Sequence, residues 1–208
     1  MRVLAITDLH GTTLDNAESI AEDYDLILIG GDITHFGRYD DAKEILSEFI
    51  RDKAVCAVYG NCDYADVDDY LREADISVHG RRMDVGPCTI TGFSGAPKSP
   101  FNTPGEVDDE EIGAGIRDVT SECSIVLTHA PPFKTAVDRA PVGHVGSRSL
   151  HEYILRAQPA INICGHIHEA RGTDSIGSTL IVNPGPYFKG YYAHIDIAND
   201  ISCELRSF

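Results

Sequence analysis

The chain has 208 residues, enough for one well-buried domain over 1–208 and too few for two large ones. Its 42% hydrophobic content is that of a soluble globular protein, and no stretch approaches the ~18–20 apolar residues that span a bilayer. Seventeen basic residues against 33 acidic ones give a net charge of −16, which repels long nucleic acid and anionic membrane.

In chain order, Val3-Leu4-Ala5-Ile6 reads as a buried strand, Thr13 to Glu22 as a helix, and Leu26-Ile27-Leu28-Ile29 as a second strand. A helix over Tyr39 to Ile50, a strand at Val55–Val58 and a short helix over Val67 to Ala74 come next. This first third is β-α-β-α-β, which predicts a parallel sheet. Short strands are expected at Ser77-Val78, Met83–Val85 and Thr89–Gly92, then a proline-rich loop over Pro97 to Gly105. The acidic run Val107 to Glu111 suits the start of a helix over Asp108 to Val119, because carboxylates favour helix amino ends. Ile125-Val126-Leu127 is the next strand, and a helix over Ser147 to Ala157 is capped by Ser147 or Ser149. After Ala160–Cys164 the chain changes character: Thr179–Val182, Tyr191–Asp196 and Ile201–Leu205 are strands without intervening helices. A parallel start and an antiparallel finish predict an α/β fold of two packed mixed sheets flanked by helices.

No Cys-x-x-Cys pair occurs among the six cysteines. Cys56, Cys123 and Cys164 lie in or beside apolar runs and read as buried free thiols. The chain opens directly into a strand without a secretory leader, so a cytoplasmic protein is expected.

The most informative feature is the set of residues just beyond the strands. Val3–Ile6 leads into Asp8 and His10, Leu26–Ile29 into Gly30-Gly31-Asp32, and Val55–Val58 into Gly60-Asn61. Ile125–Leu127 leads into His129, and Ala160–Cys164 into Gly165-His166-Ile167-His168. In open α/β sheets ligands collect at the carboxyl ends of strands. Seven donors on one rim, Asp8, His10, Asp32, Asn61, His129, His166 and His168, suit two metal ions. Mixed carboxylate, imidazole and amide donors fit Mn²⁺, Fe, Zn²⁺, Co²⁺ or Ni²⁺, with Mn²⁺ favoured, and not Ca²⁺. Asp8 and His10, like His166 and His168, are two apart, and in extended backbone such pairs face one side.

These five blocks resemble those of the calcineurin-like metallophosphoesterases over nearly the whole chain. His129-Ala130-Pro131-Pro132, Gly143 to Ser147, Gly165 to Glu169 and Asn183-Pro184-Gly185-Pro186 are similar to small predicted phosphoesterases related to the cyclic-nucleotide phosphodiesterase branch. The resemblance implies a four-layer αββα sandwich and a dinuclear site. It implies Asp8, His10 and His168 on one ion, Asn61, His129 and His166 on the other, and Asp32 between them. One position departs: where many members carry Gly-Asn-His, this chain has Gly60-Asn61-Cys62. That replaces an imidazole thought to protonate the leaving group or contact phosphate.

Two divalent ions bring about +4, of which Asp8, Asp32 and a bridging hydroxide remove about 3, leaving a field suited to a phosphate anion. The expected reaction is in-line hydrolysis of a phosphoester, a phosphodiester before a monoester, without a covalent protein intermediate. Cys62 and His144 are the candidate leaving-group acids, and His35 a weaker one; His79, His151 and His194 read as structural or surface residues. Partners are a small phosphoester, a short or cyclic nucleotide included, with neither membrane nor long nucleic acid; a homo-oligomer is compatible with this chain. The competing class is a non-catalytic scaffold of the same fold, which the complete donor set disfavours. An amidohydrolase barrel needs about 250 residues and eight βα units, more than this chain provides. Substrate choice is expected from Pro97 to Gly105 and Pro132 to Ser147.

Overall fold

A computed structural model describes residues 1–117, 123–198 and 200–208. Strands β1 (Arg2–Ile6), β2 (Leu26–Gly30) and β3 (Val55–Val58) are parallel, joined through helices α1 (Asp15–Ala21) and α2 (Tyr39–Leu46). Helix α3 (Val67–Glu73) is next, then the antiparallel hairpin β4 (Arg82–Val85) and β5 (Cys88–Phe93). Two-residue strands β6 (Ala96–Pro97) and β7 (Glu106–Val107) bracket the proline-rich loop. Next come α4 (Asp109–Gly115), β8 (Ser124–Thr128), the small ribbon β9 (Arg139–Ala140) and β10 (Gly143–His144), and α5 (Arg148–Ala157). The chain closes with β11 (Ile161–Ile163), β12 (Gly172–Ile176), β13 (Thr179–Asn183), β14 (Tyr191–Ile197) and β15 (Ile201–Ser207).

Two sheets carry the molecule, with strand orders β15-β14-β1-β2-β3 and β12-β13-β11-β8-β5-β4. Both are mixed. In the first, β14 runs antiparallel to β1; in the second, β4 and β12 are antiparallel edges on a parallel centre. The period-2 alternation of side chains sorts each central strand between two cores. Val3, Ala5, Leu26 and Leu28 pack with Ile90, Ile125, Leu127 and Ile163 between the sheets. Leu4, Ile6, Ile27 and Ile29 face α1, α2 and α3 instead. Val126 and Ile181 meet Leu150, Tyr153 and Ile154 of α5 on the far side. The layers are therefore αββα. Both faces of β1 and β2 are covered, which is why these strands are unbroken apolar runs. Each fully buried Leu or Ile contributes about 1.5–3 kcal/mol.

Several boundaries differ from the sequence reading. Helix α2 ends at Leu46, though a hydrogen-bonded turn continues to Ile50. Ser77 and Val78 form no strand; isolated bridges Ala57–Ser77 and His79–Gly92 carry the chain from one sheet to the other. The helix expected to reach Val119 ends at Gly115, and residues 118–122 lie outside the described residues. Ser147 is the cap of α5, its hydroxyl accepting from the Leu150 amide.

The cysteine reading needs one correction. Cys56 and Cys164 are buried free thiols, but Cys123 is bonded to Cys88. Parallel pairing of β5 with β8 sets the two side by side, 4.6 Å between Cα atoms, with the Thr89 amide donating to the Cys123 carbonyl. That adjacency spans 35 residues of sequence, and no local pattern reveals it. Among the described residues no helix is long and apolar enough to cross a membrane.

Candidate metal centre

The loops that leave β1 and β2 are zipped together beyond the strands. The amides of Asp8, His10 and Gly11 donate to the carbonyls of Gly31, Asp32 and Ile33. The extended backbone expected for the Asp8/His10 and His166/His168 pairs is not what the structure has. Asp8, His10, Asp32 and His166 all adopt left-handed φ, at 55°, 47°, 46° and 69°. Such conformations cost of order 1–3 kcal/mol each in a non-glycine residue and persist where surroundings enforce them. The chain must turn sharply at each strand end to aim a side chain back over the sheet. As a result Asp8 and His10 converge with His168, whereas the ring of His166 stands edge-on to His129, 5.1 Å between centroids. The His166 amide donates to both Asp8 carboxylate oxygens.

The donors form two groups joined at Asp32. In the first, His168 Nε2 is 3.4 Å from Asp8 Oδ1 and 3.4 Å from His10 Nε2. In the second, His129 Nε2 is 2.9 Å from Asn61 Oδ1. Asp32 reaches both: Oδ2 is 3.5 Å from His10 Nε2, and Oδ1 is 3.5 Å from His129 Nε2. The arrangement fits divalent cations on chemical grounds. His129 places Nδ1 2.8 Å from the Gly30 carbonyl, the bond that fixes a ligating histidine with its other nitrogen free. Nε2 and Asn61 Oδ1 then face each other at hydrogen-bond distance, a pair that either a proton on Nε2 or a cation beside both atoms satisfies.

Close approach explains two of the glycines. A Cβ on Gly60 would collide with the Asp32 carboxylate and amide, and one on Gly165 with Thr7 Oγ1 and, at 2.6 Å, Asp8 Oδ2. The segment from Asn183 to Tyr187 buttresses both turns: Asn183 Nδ2 donates to the Ile167 carbonyl after Gly165, and the Tyr187 amide to the Thr7 carbonyl beyond β1.

Two contributors, Asp63 and Phe188, escaped the sequence reading. Asp63 is fully buried and accepts from the amides of Ile33, Thr34 and Gly60 and from the Thr34 hydroxyl, tying the β2 and β3 loops together. Its signal was its place after Gly60-Asn61-Cys62. Phe188 lies edge-on to both His10 and His168, at 5.4 and 5.3 Å; no pattern marks it. Cys62 joins His10 and Asp32 in a group whose donor atoms lie within 4.8 Å of one another. Burial and the Asp32 carboxylate push its thiol well up, which makes it a poor acid.

His35 sits with Nδ1 3.5 Å from His10 Nδ1, beside the first group. His144 is not in the cluster. Its Nδ1 lies 2.5 Å from the buried Asp138 carboxylate and its ring 5.8 Å from Phe133. The ribbon that carries it packs beside the turn at His168. His79 and His194 make structural contacts, with the Ser94 amide and with Tyr24 and Asp196.

The electrostatics are those of a site built for cations. Burial lowers His10 to about 4 and His166 to about 3, so both are neutral at pH 7 with lone pairs available. Burial, reinforced by Asp63 and Asp8, raises Asp32 to about 6. Burial would lower His129, but the carboxylates of Asp32 and Asp8 outweigh it and hold it above the ordinary value. The metal-free folded pKa of Asp32 exceeds the unfolded 3.8, so the stability this residue contributes is present below about 4 and lost as pH rises through about 6. A cation removes that penalty by needing the ionised form. Divalent metal should therefore raise the melting temperature more at pH 7.5 than at pH 5, measured by thermal unfolding with and without Mn²⁺. Equal shifts at both pH values would contradict this assignment.

A four-layer αββα sandwich with such a cluster at its strand ends defines a metallophosphoesterase fold. Residues 1–196 match the calcineurin-like phosphoesterase superfamily domain, and the chain belongs to that family, whose members act on phosphate esters. A protein of Methanocaldococcus jannaschii is 35% identical over 201 residues, 93% of this chain and 91% of its own length. Among solved structures, a Thermus thermophilus protein superposes with TM-score 0.73 at 19% identity, covering 99% of this chain and 98% of that one. A dimetal phosphatase from Danio rerio gives 0.67 at 12%, covering 100% and 96%. An archaeal phosphodiesterase gives 0.53 at 14%, covering both chains fully. These three likenesses are of fold.

Proposed function

We propose that this protein is a metal-dependent phosphodiesterase whose seven donors hold two ions. Asp8, His10 and His168 would hold one, Asn61, His129 and His166 the other, with Asp32 shared. The observation that carries the reading is the Asp32 carboxylate, one oxygen toward His129 and the other toward His10. When bound, such ions supply Lewis acidity and lower the pKa of water to about 7.

The chain's own residues favour a monoanionic diester over a dianionic monoester. Asp63 lies buried behind the cluster. A groove of 780 Å³ opens beside His35, lined by Asp15, Glu18, Asp41, Glu44 and Glu48. Each added negative charge on a substrate is opposed by these carboxylates. Salt screens them beyond ~8–10 Å, so the global charge of −16 does not bar a small anion.

Leaving-group protonation is the weak point. A general acid supplies ~10²–10⁴ in rate, and Cys62 is a poor one. His144, whose Nδ1 donates to the Asp138 carboxylate, is the alternative, acting as an acid through a second proton carried on Nε2. The enzyme should hydrolyse nitrophenyl diesters with added Mn²⁺ and lose that activity on chelation. Activity unchanged by chelation points to a contaminant, and none with any metal points to a scaffold. Cys62→His should raise the ratio of alkyl to nitrophenyl turnover, and His144→Ala should lower it if His144 is the acid. Rates that move in neither variant assign the proton to solvent.

A further inference from the structure

Asn61 differs from the carboxylate donors in having two ends of opposite character, and from the histidines in being unable to exchange those ends by moving a proton. Oδ1 offers lone pairs to a cation, while Nδ2 carries two hydrogens and offers none. A half-turn about the last bond would present the wrong end. Something must enforce the orientation, and the structure contains a chain of hydrogen bonds able to do so.

Asn61 Nδ2 donates to Thr103 Oγ1 at 2.9 Å and lies 3.5 Å from Cys62 Sγ, while Oδ1 faces His129. Thr103 Oγ1 in turn donates to Glu106 Oε1 at 3.1 Å. The same carboxylate accepts from the Ser99 hydroxyl at 2.6 Å and from the Ser99 and Thr103 amides, each at 3.1 Å. All four partners of Glu106 are donors. An ionised carboxylate accepts only, so it commits the Thr103 hydroxyl hydrogen to itself. Thr103 is left with lone pairs toward Asn61, which only the Nδ2 end can meet. The Oδ1 end is then turned to the cluster. The Gly105 amide, donating to the Asn61 carbonyl at 2.8 Å, holds the backbone of the loop in place. These bonds, the Ser99 hydroxyl foremost, also keep Glu106 ionised, outweighing a burial that would raise it.

We infer that Thr103 and Glu106 are positioning residues that set the polarity of the Asn61 amide, so that the loop over Pro97 to Gly105 is part of the second ion's site. The inference rests on the dinuclear reading above. It gives that loop a task beyond contacting substrate: disturbing it turns a metal donor.

The test is metal titration of the full-length protein by calorimetry, using Mn²⁺ and separately Co²⁺ with its visible spectrum. Thr103→Val removes the hydroxyl at nearly constant volume, Thr103→Ser keeps it, and Glu106→Gln keeps size while removing the acceptor-only property. The expected result is a 10–100-fold weaker second ion in Thr103→Val and Glu106→Gln, the range for lost supports of metal ligands. The first ion should stay within about twofold, and Thr103→Ser should match wild type. In the metal-free protein, the Asn61 side-chain amide protons should be protected from solvent exchange in wild type and Thr103→Ser and lose that protection in Thr103→Val. A residue that merely anchors the loop would speed proteolysis of 97–107 without changing metal affinity, and that result overturns the inference. So does equal weakening of both ions. Wild type that takes up a single ion at saturation removes the dinuclear reading and this inference together. Two ions bound equally well by wild type and Thr103→Val remove this inference alone.

Discussion

Replacing Asp32 by Asn should reduce kcat/KM for a nitrophenyl diester at least about a hundredfold, roughly 2.7 kcal/mol of transition-state stabilisation. The geometry also says which group of donors suffers. Asp32 Oδ1 accepts from the Cys62 amide at 2.7 Å, so the asparagine would keep its oxygen there. Its NH₂ would then occupy the place of Oδ2, which lies 3.5 Å from His10 Nε2. The first group gains hydrogens where it had lone pairs; the second keeps its oxygen. Metal titration should show the Asp8, His10 and His168 group weakened most. Loss confined to the His129 side would mean that Asp32 is oriented otherwise, and undiminished turnover would locate the activity elsewhere.

The second large effect comes from a glycine. Gly60→Ala should abolish binding of at least one ion and lower the melting temperature by roughly 2–12 °C. Overpacking a filled site costs about 1–3 kcal/mol, and a kcal/mol shifts a domain of this size by about 2–4 °C. The added Cβ would be driven into the Asp32 carboxylate and amide; the amide is backbone, and the carboxylate oxygen it meets is the one held by the Cys62 amide. Gly11 offers the control. Its Cβ would meet no heavy atom within 4 Å, so Gly11→Ala suffers only the strain of φ +81° and should retain both ions. A Gly60→Ala protein that binds metal like wild type would show that Asp32 does not hold this position when metal is bound.

Much of this site was legible in the sequence because it is written locally. An apolar run leading into Asp, Asn or His marks a strand end. The β-α-β-α-β start also comes from local periodicity, and the chain does place β1, β2 and β3 side by side and parallel. The acidic start of α4 and the Ser147 cap of α5 are likewise properties of a few neighbouring residues.

What local pattern could not supply are relations between distant segments. The sequence alone determined the candidate donors and their order along the chain, each read within one turn or one strand, and the two-sheet class, read from the change from parallel to antiparallel strands along the whole chain. Only the tertiary structure decided that β14 pairs with β1 across the length of the chain, and that β5 and β8 join Cys88 to Cys123. It decided too that Asp138 takes His144 into a pair outside the cluster, and that Thr103 and Glu106 stand behind Asn61. Left-handed turns at Asp8, His10 and His166 replaced the extended pairs that spacing suggested. The physical reason is common to all of these. A hydrogen bond, a disulfide or a forced φ depends on which backbones pack together, and that is settled by burying the apolar faces of two sheets, not by the neighbours of any one residue.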